Sequence, residues 1–305
     1  AIGFEALKAQ TGTSGTVANT AVGHHALTRL TTGTMNTAVG QASQDYNRTG
    51  VNNTSVGKES LSQLGHDDSD NNTAVGFQAM RSAGTPNNND AAQNVAVGSK
   101  ALTAILDGDN NVAVGYLAGA AITTGGNNVI IGHQAGDGFT ANTTMTLIGS
   151  EAGTTINSNN ANGTVAVGYQ SLGDLTSGAT NTALGSKSGD AATTSSGSVF
   201  LGFDAGGTVT TGNQNIAIGL DSMNGGATTG DNNIAIGASA GDALTSGYSN
   251  TFLGNDSGGT ITTGHSNTFI GKNAATNNNS GTQKTTAIGA SAGANGDSDE
   301  SVFIG

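Results

Sequence analysis

The chain has 305 residues, with 50 glycines, one proline, no cysteine, 34% hydrophobic residues and a net charge of −12. Nine Lys and Arg against 21 Asp and Glu argue against nucleic-acid and anionic-membrane partners, which are held by clustered cations. No apolar run is long enough to span a bilayer, and disulfides and thiolate metal sites are excluded for want of thiols.

Such a composition suits a disordered chain, yet the apolar residues keep strict positions. A motif reading NNVAVG at Asn110–Gly115 and NNIAIG at Asn232–Gly237 closes on a glycine at 3, 23, 40, 57, 76, 98, 115, 132, 149, 168, 185, 202, 219, 237, 254, 271, 289 and 305. Ten of the seventeen intervals are 17 residues, and a fixed period of that size marks a stacked-repeat architecture. With each closing glycine as position 0, residue −1 is Val, Ile or Leu in all eighteen copies, from Ile2 to Ile304. Residue +3 is Ala or Ser wherever the copy extends that far, −4 is Asn in twelve of seventeen copies, and +7 is often apolar, as in Leu30, Ile105 and Phe139.

In every repeat, from Thr20-Ala21-Val22-Gly23 onward, residues −3 to −1 predict a short strand stopped by the glycine. The β-branched −3 and −1 share one face and −2 takes the other; the large −3 and −1 residues are assigned to the interior of the coil. A second short extended piece is expected near +7, with Gly, Asn and Thr turns returning the chain. No helical period fits. The fold class is therefore all-β, a β-solenoid of about 17-residue coils, in a single array over 1–305. Opening in mid-motif at Ala1-Ile2-Gly3, the array reads as an excerpt of a longer chain.

Two positions covary within the chain. Where −2 is large, as at Ile130, Leu147, Phe200, Phe252 and Phe269, residue +4 is small: Gly136, Gly153, Gly206, Gly258 and Ala275. Where +4 is Leu or Met, as at Leu27, Leu61, Met80 and Met223, residue −2 is Ala or Ser. The two share one close-packed space. With −2 assigned to the outside of the coil, that space is expected at a subunit interface. Ordering a thin coil around a few aliphatics also calls for lateral association.

Three inserts, at 65–71, 84–93 and 157–163, fall between +7 and −4 and are expected to project from one edge. The first two supply the candidate partner contacts Asp67, Asp68, Asp70, Asn87, Asn88 and Asp90, suited to a cationic or carbohydrate-like partner. The GASAG runs at 237–241 and 289–293 match a nucleophile elbow, but Ser239 and Ser291 occupy the variable +2 position of an ordinary repeat. His24 and His133 lie six coils apart, too far to share a metal. Asp67, Asp68 and Asp70, like Asp297, Asp299 and Glu300, read as solvated acidic turns rather than calcium sites. No catalytic, cofactor-binding or metal-ligating residue is assigned, and the Asn at −4 reads as a stacked amide ladder.

The cores NNVAVG, NNIAIG and GTVAVG resemble the head repeats of YadA-type trimeric autotransporter adhesins. The longer pattern NTAVGxxAL…TTGxxNTAVG is similar to repeats of phage and prophage tail-fibre proteins. The resemblance implies a left-handed parallel β-roll, a homotrimer and a virion-borne or cell-surface location. It departs in its longer 17-residue period. The expectation is a non-enzymatic fibre shaft or head engaged in host attachment through an unidentified surface receptor, without cofactor, nucleic acid or membrane insertion. The alternatives are a bacterial surface adhesin head and, from another class, a monomeric ice- or calcium-binding β-roll.

Overall fold

The computed structural model describes residues 1–11, 17–64, 69–82, 89–295 and 299–305. The described residues contain no helix; their regular structure is seventeen three-residue strands, one per coil. The chain is a parallel β-solenoid of about 16 turns that divides into two compact units, 1–150 with 157–159, and 151–156 with 160–305. The first unit holds β1 (Thr20–Val22) to β8 (Thr146–Ile148), the second β9 (Val165–Val167) to β17 (Val302–Ile304). Within each unit successive strands pair in parallel with no slip: Thr20 faces Thr37, Val112 faces Val129 and Ile234 faces Thr251.

The closing glycine makes this register possible. Gly237 has φ 138°, a backbone conformation that L side chains rarely adopt, and a Cβ there would lie 2.6 Å from the carbonyl carbon of Gly254 in the next coil. A methyl group would force the coils apart. The chain beyond the glycine is not a loose loop. Residues +2 and +4 take left-handed φ even where they are not glycine, as at His25 (59°) and Leu27 (51°). That conformation costs roughly 1–3 kcal/mol per residue unless its surroundings favour it. Here it turns successive N–H groups toward opposite neighbours. His25 donates to Phe4 O in the preceding coil at 2.9 Å, and Leu27 donates to Ser43 O in the following coil at 3.0 Å.

The amide ladder expected at −4 is present. Asn111 Oδ1 accepts from the Asn128 N–H at 3.2 Å, while Asn111 Nδ2 donates to Gly125 O at 2.9 Å. The same bonds link Asn233 to Asn250 and Asn250 to Asn267 in the second unit. Each side chain is buried, so each coil satisfies the next coil's backbone donor inside the core. By contrast, the extended piece expected near +7 forms only as the isolated bridge Val209–Thr228 among the described residues. Elsewhere the chain is turning, as where Leu30 N–H closes back on Leu27 O at 3.2 Å.

One expectation is reversed. In the first sixteen strands the central residue, −2, is buried, and its neighbours −3 and −1 are exposed or half-exposed. The interior of a coil is narrow and already holds +3, +4, +7 and the −4 amide, as in the packed group Ala21, Ala26, Leu27, Leu30 and Ala38. An alanine fits between these residues, and the paired β-branched side chains face out.

The space shared by −2 and +4 is therefore inside one chain, and it extends over two coils. A Cβ on Gly258, in the coil of Phe252, would lie 2.6 Å from Phe252 Cδ1. One on Gly241, in the preceding coil, would lie 2.7 Å from Phe252 Cδ2. Phe200 is flanked in the same way by Gly189 and Gly206. This accounts for Gly119, Gly189 and Gly241, which stand at +4 although −2 of their own coil is alanine: the large residue is in the next coil.

Phe200→Ala should lower the stability of the chain by about 3–5 kcal/mol through the cavity it opens. Adding Gly189→Leu and Gly206→Leu to that variant recreates the pattern of the successive coils that carry Met80 and Leu102 at +4 with Ala74 and Ala96 at −2, and should recover most of the loss in equilibrium unfolding. A triple variant no more stable than Phe200→Ala would contradict the shared space.

Candidate functional site

The outward −1 residue is Val, Ile or Leu in every strand, and together with the apolar residues among −3 and +1 it forms an apolar stripe on the sheet face of each unit, although −3 is Thr in nine of the seventeen strands. Of the eighteen large hydrophobic residues exposed among the described ones, sixteen occupy these three positions. In the first unit they include Val56, Phe77, Tyr116 and Ile131, and in the second Leu184, Leu201, Phe203 and Leu253. Exposed apolar residues that recur in one stripe mark a contact surface rather than ordinary scatter. Aromatic residues at +1 stack between coils: Phe4 on His24 at 5.4 Å and Tyr116 on His133 at 5.5 Å between ring centres.

The predicted contact residues are only partly placed. Asp67, Asp68, Asn87 and Asn88 lie outside the described residues, as do Pro86 and Asp297. Asp70 stands at −6, where its Oδ1 accepts the Val51 N–H of the preceding coil at 2.6 Å. Asp109, Asp231 and Asp299 bond Ala92, Asn213 and Gln283 in the same way. The acidic −6 residues thus hold the turn, a second ladder that the sequence reading did not resolve. The Asp90 backbone N–H donates to Leu106 O at 3.0 Å, so this residue too is bound to the adjoining coil.

Charged side chains converge at a place the sequence reading missed. A cleft of about 220 Å³ opens in the first unit between the +5 and +6 side chains of three successive coils. It is lined by Asp45 and Tyr46 of one coil, Glu59, Ser62 and Gln63 of the next and Arg81 of the third. A hydrogen bond from Gln78 Nε2, 2.8 Å from Glu59 Oε2, holds the Glu59 carboxyl below its usual range, against partial burial and with help from Lys58 and Arg81. Arg81 Nε is 3.5 Å from Glu59 Oε2. The Arg29 guanidinium lies 3.7 Å over the centre of the Tyr46 ring. Burial pushes the Asp45 carboxyl up, opposed by the nearby Arg29, and Asp45 Oδ1 is buried without a hydrogen-bond partner.

The legible signal for this cleft is a break in the repeat. Where neighbouring coils place Leu27, Leu61 and Leu102 at +4, this one has Gln44, and where they place Leu30, Leu64 and Ile105 at +7 it has Asn47. Both amides are buried. Gln44 Nε2 donates to Ser55 Oγ at 2.9 Å, and Asn47 Nδ2 donates to Gln44 Oε1 at 3.1 Å.

A second cleft, of about 180 Å³, lies among Thr154, Gln170, Asp174 and Asp190 of the second unit. Burial raises the Asp190 carboxyl above its ordinary 3.8, with the nearby Asp204 charge adding to it. Asp242 is raised likewise by burial, although the Ala243 N–H partly opposes the shift.

Ser239 and Ser291 take the left-handed +2 conformation, and their N–H groups donate to Leu220 O and Lys272 O like other +2 residues. Among the described residues no three His, Cys, Asp or Glu converge as metal ligands, and no helix is long and apolar enough to cross a membrane. No protein-family model, curated protein or solved structure matches the chain.

The raised aspartates carry a pH prediction. With a folded pKa above the unfolded one, the folded chain takes up the proton first. Stability should therefore rise as pH falls through the folded value, the gain being complete below the unfolded value of 3.8. Thermal midpoints of Asp190→Asn/Asp242→Asn should equal or exceed wild type at pH 7 and rise less on acidification toward pH 4. A double variant that is less stable at pH 7 and keeps the full acid response would contradict the assignment.

Proposed function

We propose that the chain is a non-enzymatic segment of a homotrimeric fibre, most closely of the phage-tail or virion type, that serves attachment to a host surface. The observation that carries this reading is the apolar stripe that −1 forms with the apolar residues at +1 and −3, its −1 row repeating at one place on the coil through each unit. A sheet face of Val, Ile and Leu left in water is unfavourable at roughly 25 cal/mol per Å². A closed threefold association buries such a stripe on every subunit with one set of contacts. The repeat wording that resembles tail fibres and YadA-type heads supports the same assembly, a left-handed roll and a location outside the cell. The interface is thereby reassigned from −2 to the −3, −1 and +1 face.

An ice-binding solenoid needs rows of free threonine hydroxyls. The Thr row at +8 is committed otherwise, since Thr176, Thr193 and Thr245 donate their hydroxyls to Thr193 O, Thr210 O and Thr262 O of the following coils. The outward Thr rows at −3, Thr20 to Thr73 and Thr251 to Thr286, are short and give way to Val95, Val112 and Val129 and to Val199, Ile216 and Ile234.

Light scattering of the chain should give three times the 29.7 kDa chain mass. Leu201→Asp with Leu253→Asp, both on the exposed face, should return the protein to monomers with the solenoid's circular dichroism retained. A wild-type chain that stays monomeric at micromolar concentration would overturn the trimeric reading.

A further inference from the structure

The cleft at Asp45, Tyr46, Glu59 and Arg81 differs from the rest of the molecule in kind. Elsewhere +4 is apolar or glycine in every coil, and +7 is so except at Gln10 and Asn278. Here two core leucine positions have become the buried amides Gln44 and Asn47, and they form a bonded polar patch behind the cleft wall with Ser43, Ser55 and Ser60. Replacing apolar core by a polar network adds risk without evident gain in packing, and such local departures from a fold's own rule mark functional sites.

We propose that this cleft is a saccharide site that seats one pyranose ring of a larger glycan. Its chemistry carries the assignment. Two carboxylates disfavour a small anion, and Arg81 with Arg29 disfavours a small cation. A ring of hydroxyls suits both signs, because each hydroxyl donates to a carboxylate and accepts from a guanidinium or amide. Asp45 lines the cleft, and its carboxyl has hydrogen-bonding capacity unfilled within the protein, since Oδ1 has no partner. Arg81 and the Gln63 amide provide donors on the facing walls. Stacking of Arg29 on Tyr46 fixes that aromatic wall in place. The volume of about 220 Å³ is below the roughly 300–1,000 Å³ of pockets for drug-sized ligands, so a single ring fits rather than a chain.

The inference rests on the attachment reading for its use. A shallow single-ring site binds weakly, and three copies on one fibre raise the strength of attachment through effective concentration. Its chemistry does not depend on the trimer.

The experiment is saturation-transfer NMR on the whole chain with a panel of methyl pyranosides: glucoside, galactoside, mannoside, rhamnoside, N-acetylglucosaminide and N-acetylgalactosaminide. At least one should receive saturation from the protein. Asp45→Asn and Arg81→Gln, two independent variants in case one fails to fold, should each weaken that glycoside by about tenfold or more, as loss of a charge-assisted hydrogen bond requires. Asp190→Asn, in the other cleft, should leave binding unchanged. No transfer to any member of the panel, or binding that survives both cleft variants, overturns the proposal. A monomeric chain that binds a glycoside through Asp45 leaves the site standing and removes the trimer; a trimer that binds none does the reverse.

Discussion

Within each unit the backbone of one coil rests directly on the backbone of the next, and the rest of the structure follows from that contact. At the closing glycine the two backbone segments come so close that no side chain can be admitted. At −4 the asparagine, and at −6 an aspartate or asparagine, reach across to the neighbouring coil's N–H groups. Between these points the left-handed residues at +2 and +4 turn their amides up and down the stack. Register is thereby set by polar groups around the whole circumference, and three-residue strands suffice.

This division of labour explains why the core can be so plain. About half of the coils fill their interior with alanine or serine at −2 and +3 and a larger residue at +4, and an apolar residue usually follows at +7. A phenylalanine is admitted at −2 only where two successive coils yield the +4 space, as Gly241 and Gly258 do for Phe252. The constraint is steric and local, and it is solved inside one chain. What remains exposed is the outer sheet face, with residues such as Leu201 and Leu253.

Much of this was legible in the sequence, and the parts that were not have identifiable causes. The period, the strand at −3 to −1, the stop at glycine and the Asn ladder all rest on residue types with one dominant use. Alternation along a strand separates two faces but does not say which one is inside. Size suggested Val22 and Ile236; the narrow coil takes Ala21 and Ala235 instead. The covariation of −2 with +4 was real but was read within single coils, which hid the role of the following one. The charged cleft uses +5 and +6, positions without a consensus, so Asp45, Tyr46 and Arg81 carried no motif. Only the amides Gln44 and Asn47, standing together in one coil at positions that are elsewhere almost always apolar or glycine, marked the coil as different.

Amide hydrogen exchange tests the stacking account most directly. Ser239 and Asp256 lie in turns, outside any strand, yet they donate to Leu220 O at 2.9 Å and Ala238 O at 3.0 Å in the preceding coils. If the turns are ladders, these amides exchange as slowly as the strand amides of Ile234 and Thr251. Exchange of Ser239 and Asp256 at the rate of an unstructured peptide, with Ile234 and Thr251 still protected, would contradict it.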